Sequence, residues 1–206
     1  KDTPSLAMMI IVDKSGSMGG EKMQLAKEAA VAAVELLGSR DYVGVVAFDG
    51  EPQWVVDLQS AGNQAGVIQT IESIEAGGGT NIAPALDEAA TALAGVSATF
   101  KHAILLTDGQ SQEGDYAGIV DRMVGDLVTV STVAVGEGAD TALLQDIARW
   151  GRGRYYFTAD PYDIPQIFTK ETMSASKSSL VEEPFLPQVL RTHPVIQGID
   201  WNSTPF

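Results

Sequence analysis

The sequence predicts an α/β domain: a doubly wound, mostly parallel six-stranded sheet with helices on both faces and one antiparallel edge strand. Three observations predict it. Short β-rich runs alternate with longer stretches of helical composition up to about residue 170. The strand runs are almost uninterruptedly apolar, as strands covered on both faces are. One pair of runs is joined by a link too short for a crossover helix, so that pair is antiparallel.

The first strand, Leu6–Val12, is apolar throughout. Lys22–Leu37 is the first helix, with Leu25, Ala29, Ala32 and Leu36 on one face and Gly38 placed to cap its C-terminus. Tyr42–Phe48 and Trp54–Leu58 are strands separated only by Asp49-Gly50-Glu51-Pro52-Gln53, hence a hairpin. Ala65–Glu75 and Ile82–Leu93 are helices joined by Gly77-Gly78-Gly79-Thr80-Asn81. Ala103–Thr107 is a strand, Ala117–Asp126 a helix, and Leu127–Val135 a strand. Thr141–Trp150 is a helix with Asp140 as its N-cap, and Arg154–Phe157 is the last strand. A sixth helix starts after Asp160-Pro161-Tyr162-Asp163. Strand–helix alternation of this kind is Rossmann-like.

After about Lys170 the pattern changes. Ser174-Ala175-Ser176-Lys177-Ser178-Ser179 is small and polar, and Pro184, Pro187, Pro194 and Pro205 follow. Residues 1–172 are therefore read as one domain. Residues 173–206 are read as a proline-containing linker or wrapped tail leading to a following domain. The chain opens at Lys1 with no methionine, which fits a piece of a larger protein.

Composition narrows the partners. With 13 basic and 27 acidic residues the net charge is −14, which disfavours nucleic acid and anionic membrane surfaces. With no cysteine, the chain has no disulfide, thiolate metal site or cysteine nucleophile. Its longest apolar run ends at Val12 and is far too short to span a bilayer.

Chemistry concentrates in three loops. Ligands of open parallel sheets bind beyond the carboxyl ends of the strands. There the chain places Asp13-Lys14-Ser15-Gly16-Ser17 after the first strand and Thr107-Asp108-Gly109 after Ala103–Leu106. The Gly77–Asn81 loop lies above the same edge. Asp13 and Asp108 supply negative charge, and Ser15, Ser17 and Thr80 supply neutral hydroxyls. An all-oxygen donor set suits a hard divalent cation. Two carboxylates and three hydroxyls leave room for water in an octahedral shell, which favours Mg²⁺ over Ca²⁺. Without imidazole or thiolate, zinc and copper are poor candidates.

Together these loops resemble the von Willebrand factor type A family at its metal-ion-dependent adhesion site, over about residues 5 to 170. The resemblance implies that Asp13, Ser15, Ser17, Thr80 and Asp108 hold Mg²⁺ (or Mn²⁺) and that a partner protein's carboxylate completes the shell. Val45–Asp49, Lys101–Gly109, Val130–Gly136, Gly153–Phe157 and Ser179–Phe185 resemble one subgroup. Its members are large bacterial membrane-anchored proteins that also carry a domain like a class I glutamine amidotransferase. That likeness implies a bacterial cell-envelope location.

Other readings account for single residues but not for the set. Ser15, Ser17 and Thr80 are all of types that cap helices, but capping does not call for Asp13 or for three loops on one edge. An Asp-Gly turn explains Gly109 but not the place of Asp108. An aspartyl phosphatase needs a second aspartate two residues after Asp13, where this chain has Ser15. A serine nucleophile needs a nearby base, and neither His102 nor His193 belongs to the three loops. The expected function is therefore a non-catalytic, metal-dependent protein-binding module. A structural scaffold whose metal site is rarely filled is the alternative. Asp49, Glu51, Glu113, Asp115, Glu137 and Asp140 form an acidic rim, which favours ligands carrying basic residues around one acidic anchor. Trp54 and Trp150 are read as packing residues.

Overall fold

Strand β1 (Leu6–Asp13) is buried along its whole length, and the two faces of the sheet are built from its alternation. Leu6, Met8, Ile10 and Val12 pack into one core with α1 (Glu21–Glu35), α2 (Gln64–Glu72) and α6 (Ile164–Lys177). Ala7, Met9 and Ile11 pack into a second core with α3 (Ile82–Gly95), α4 (Tyr116–Gly125) and α5 (Thr141–Trp150). A strand with helices on both sides cannot alternate apolar with polar, which explains the unbroken apolar run. The remaining strands are β2 (Tyr42–Phe48), β3 (Pro52–Ser60), β4 (Phe100–Thr107), β5 (Val128–Val135) and β6 (Arg152–Thr158). The computed structural model describes residues 5–177.

The sheet order is β3-β2-β1-β4-β5-β6, with every pairing parallel except β2–β3. This is the expected doubly wound sheet with its antiparallel edge strand. The chain leaves β1 towards one side and reaches β4 on the other, so a crevice opens above β1 and β4. Asp13 ends β1, and Asp108 follows β4 directly.

Three details differ from the sequence reading. In α1 the buried stripe is Met23, Leu25, Ala26, Ala29, Ala30, Ala33 and Val34, while Leu36 is 42% exposed. The helix is wedged against β1, α2 and α6, so its buried face is wider than one stripe and rotated from the expected one. Its last residue is Glu35, and Gly38 instead donates its N–H to Asp41 Oδ2 in the next turn (2.8 Å). Second, α6 continues through Lys177, so residues 173–177 are helical rather than the start of a tail. The rest of that stretch, 178–206, lies outside the described residues. Third, Trp150 keeps 38% of its surface exposed at the end of α5. Trp54 does cover the edge, half-buried with its indole N–H on Glu88 of α3 (3.2 Å).

Helix α6 is fastened by a buried carboxylate. Glu171, 1% exposed, accepts from Ser131 Oγ (2.6 Å), Tyr156 OH (2.6 Å) and Arg154 Nη1 (2.8 Å). His102 Nε2 approaches to 3.2 Å, off the line of a good hydrogen bond. One side chain thus ties α6 to β4, β5 and β6. Burial pushes this carboxyl up, but the nearby His102 ring and the donors Ser131, Tyr156 and Arg154 outweigh it and hold the group well below the usual carboxylate range.

Candidate metal centre

The site is built outward from the end of β1. Asp13 is fully buried; its Oδ1 accepts from the Ser15 N–H (2.7 Å) and its Oδ2 from Thr107 Oγ1 (2.5 Å). The register that pairs Val12 with Leu106 brings Thr107, the last residue of β4, beside Asp13. A short 3₁₀ turn, Gly16–Met18, then lifts the chain, with Met18 buried beneath it. That turn brings Ser15 Oγ and Ser17 Oγ to 3.1 Å of each other. Ser17 Oγ donates to Asp108 Oδ1 (2.6 Å). The other Asp108 oxygen accepts from the Lys22 ammonium at 2.5 Å. Asp108 itself is 3% exposed.

The glycine-rich loop is zipped onto this turn by backbone alone. Gly77 N–H donates to Lys14 O (2.6 Å), and Gly16 N–H donates to Gly78 O (3.1 Å). Gly78 has a positive φ of 87°, and a Cβ there would lie 2.8 Å from the Asp49 side chain. Only glycine meets both conditions without strain. The β2–β3 turn joins the same assembly. Lys14 N–H donates to Phe48 O (2.7 Å), Asn81 N–H to Asp49 O (2.7 Å), and Lys14 Nζ pairs with Asp49 Oδ2 (2.6 Å). The Lys14 hydrogen bond is the main reason the Asp49 carboxyl is held below its ordinary value.

Thr80 sits against the third loop: a Cβ on Gly109 would come within 3.0 Å of Thr80 Oγ1. It does not cap α3. Asn81 holds the N-cap position without a side-chain bond, and the first helical N–H, of Ile82, donates to Ser111 Oγ (2.8 Å). Tyr116 OH donates to Gln112 O (2.6 Å) and accepts from Ser111 Oγ (2.7 Å), fixing the loop after Asp108. Asp140 N–H bonds Gly109 O (3.2 Å), which fastens that loop from the β5 side.

The structure thus joins Asp13, Ser15, Ser17 and Asp108 through hydrogen bonds and places Thr80 beside them. Thr107, Lys22 and Ser111 also belong to the site and were missed in the sequence. Thr107 had a readable signal: a hydroxyl ending an apolar strand next to the one that ends in Asp13. Lys22 and Ser111 had none, since both reach the site through the tertiary fold.

The donors fit a hard cation. Each Asp13 oxygen accepts one hydrogen bond and keeps a lone pair; Ser17 gives its proton to Asp108 and accepts from Ser15, which leaves it one free lone pair. Burial raises the Asp13 carboxyl, and the nearby Asp108 charge adds to this; hydrogen bonds from Thr107 and Ser15 oppose it. Two neighbouring carboxylates, one of them resisting ionisation, are a place where positive charge is stabilised. Among the described residues no three of His, Cys, Asp and Glu cluster together, so hydroxyls would have to make up the donor set. His102 lies elsewhere, bonded to Thr129 Oγ1 (2.7 Å), and His193 lies outside the described residues.

Half of the acidic rim has local work. Asp49 pairs with Lys14, while Asp115 and Asp140 cap α4 and α5 through Gly118 N and Leu143 N. Glu51, Glu113 and Glu137 remain exposed.

Known proteins carry the same pattern. The family model of the von Willebrand factor type A domain matches residues 8–170. An uncharacterized protein of Synechocystis is 30% identical over 170 residues, covering 79% of this chain and 40% of the relative. The chain therefore spans well under half of that relative's length. A von Willebrand factor type A structure from Catenulispora acidiphila superposes with a TM-score of 0.77 at 27% identity, over 84% of this chain and 43% of that one. Proximal thread matrix protein 1 of the mussel byssus superposes with a TM-score of 0.73 at 18% identity, over 84% of this chain and 48% of that one. That structure is described as having a zinc-occupied metal-ion-dependent adhesion site, so a site of this type does accept zinc, against the expectation from ligand softness. Domains of this family are typically metal-dependent interaction modules, mainly non-catalytic. With the match running through both cores and all three loops, this chain belongs to the von Willebrand factor type A family.

Proposed function

We propose that this domain binds another protein through a divalent ion held by Asp13, Ser15, Ser17, Thr80 and Asp108, with Mg²⁺ as the resident metal and Mn²⁺ as a working substitute. One observation carries the reading: the Ser17–Asp108 hydrogen bond closes the first loop onto the third, so two buried carboxylates and two hydroxyls converge at one point. A partner's carboxylate completes the shell, and exposed Glu51, Glu113 and Glu137 select a partner that is basic around that anchor. Among the described residues no histidine lies at the site, since His102 is bonded to Thr129 away from it, which supports recognition over catalysis. The likeness to bacterial proteins, among them an aerotolerance-related membrane protein of Bacteroides fragilis, supports a bacterial cell-envelope location within a larger, membrane-anchored protein.

The test is calorimetric titration with Mg²⁺, Mn²⁺ and Zn²⁺. Binding of at least one, abolished by Asp13→Ala, is the expected result; no binding at millimolar ion sinks the reading. Partner capture by the intact parent protein should require Mg²⁺ and be released by chelator.

A scaffold role with a rarely filled site is the second reading. It is favoured by the Lys22 ammonium, which already neutralises Asp108 (2.5 Å).

A further inference from the structure

We propose that Lys22 is a built-in competitor of the metal: its ammonium occupies Asp108, and its charge lowers the affinity of the site for the ion. This rests on the metal-binding reading above. Lys22 Nζ bonds Asp108 Oδ2 at 2.5 Å and reaches Ser17 O at 3.4 Å, so it touches two of the residues assigned to the metal. Asp108 is nearly sealed from solvent, whereas a third of the Lys22 side chain is exposed. The exposed stem gives the ammonium a route out to water that the carboxylate does not have.

The placement of Lys22 needs an explanation. It is the second residue of α1, in the first turn, where the helix dipole disfavours a cation. The N-cap residue of that helix, Gly20, offers no side-chain bond to offset this. Helix physics therefore argues against lysine at this position, and the pairing with Asp108 supplies the compensation. Asp108 has one oxygen committed to Ser17 and the other to Lys22. A divalent ion drawing on Asp108 must share that carboxylate with the ammonium or expel it. Sharing would set the ion against a unit positive charge inside a partly desolvated site, and expulsion would cost the Lys22–Asp108 ion pair. The same charge has a second effect. With both carboxylates ionised, a divalent ion and Lys22 leave the centre with an excess of positive charge, which favours an incoming anion.

The experiment is Mn²⁺ titration of the full chain, by calorimetry and by electron paramagnetic resonance of the free ion. Wild type, Lys22→Met, Lys22→Gln and Lys22→Arg are compared, each checked for folding by its melting curve without metal. Removing the charge should tighten Mn²⁺ by about tenfold in both the Met and the Gln variants. The Arg variant, which keeps the charge, should stay near wild type. Tight binding by the Met variant where wild type binds undetectably also supports competition. A Kd within about threefold of wild type, or a weaker one, in folded Met and Gln variants overturns it, because Lys22 then only organises Asp108. If neither wild type nor the neutral variants bind any Mn²⁺, the metal reading itself fails and takes this inference with it. A wild type that binds while the variants do not differ from it leaves the metal reading intact and removes only the competitor role.

Discussion

Gly78 carries more of the site than its size suggests. It gives its carbonyl to Gly16 from a backbone conformation with φ of 87°, pressed against Asp49. Gly78→Ala should destabilise the domain by about 1 to 3 kcal/mol, from left-handed strain and the clash with Asp49. Urea unfolding measures this. The same variant should weaken metal binding, since Gly78 fixes the loop that carries Thr80. Thr107→Val makes the complementary test: it keeps the shape of the strand end but removes a donor from buried Asp13. Losing that donor should cost about 1 to 2 kcal/mol without metal, read from the same unfolding curves. Thr107 shows how far residue types alone reach. Asp13, Ser15, Ser17, Thr80 and Asp108 stand out in the sequence because oxygen ligands at strand ends have few other uses. The residues that orient them stand out less: Thr107 is signalled only by its place at the end of an apolar strand beside that of Asp13, and a lysine opening a helix is ordinary until the fold places it.

At the level of elements, the strands were readable because both faces of the sheet are covered, which forces apolar runs with sharp ends. Helix faces were less so. The stripe through Leu25, Ala29, Ala32 and Leu36 is a fair amphipathic pattern, but α1 packs against the sheet and two helices at once and buries Ala26, Ala30 and Ala33 along with Leu25 and Ala29, leaving Leu36 exposed. Alanines carry little pattern, so nothing in the sequence chose between the two faces. The C-terminal reach of α6 was hidden for a related reason: small polar residues read as linker, while Glu171 one turn earlier anchors the helix. That anchor has a pH signature. The folded-state carboxyl of Glu171 titrates below its ordinary value of 4.5, so its contribution is complete above about pH 5 and is lost as pH falls below that. Glu171→Gln should therefore cost about 2 kcal/mol at pH 7 and flatten the decline in stability between about pH 5 and pH 3. Unfolding midpoints collected across that range check both parts.

For the whole molecule, an ion that binds only the folded state stabilises all of it. At a Mg²⁺ concentration one hundred times Kd the gain is about 2.7 kcal/mol, which for a domain of this size raises Tm by roughly 5 to 10 °C. Differential scanning calorimetry should show that rise in wild type, its reversal by chelator, and its absence in Asp13→Ala. A wild-type Tm indifferent to Mg²⁺ counts against the site. The scale of the effect follows from placement: the two carboxylates end neighbouring central strands, so an ion between them clamps the middle of the sheet rather than a loose periphery.

The polarity of the sheet has a mechanical side. The site lies at the carboxyl end of β1, whereas the described chain enters β1 at the opposite end, and α6, running back from β6, finishes there too. On the proposed reading, a load applied between the ion and the described ends, at residues 5 and 177, would pull along the length of β1. Tension is carried in shear by the ladders to β2 and β4 together, so many hydrogen bonds must give way at once instead of peeling singly. A domain loaded at two points on the same edge would instead unzip one hydrogen bond at a time.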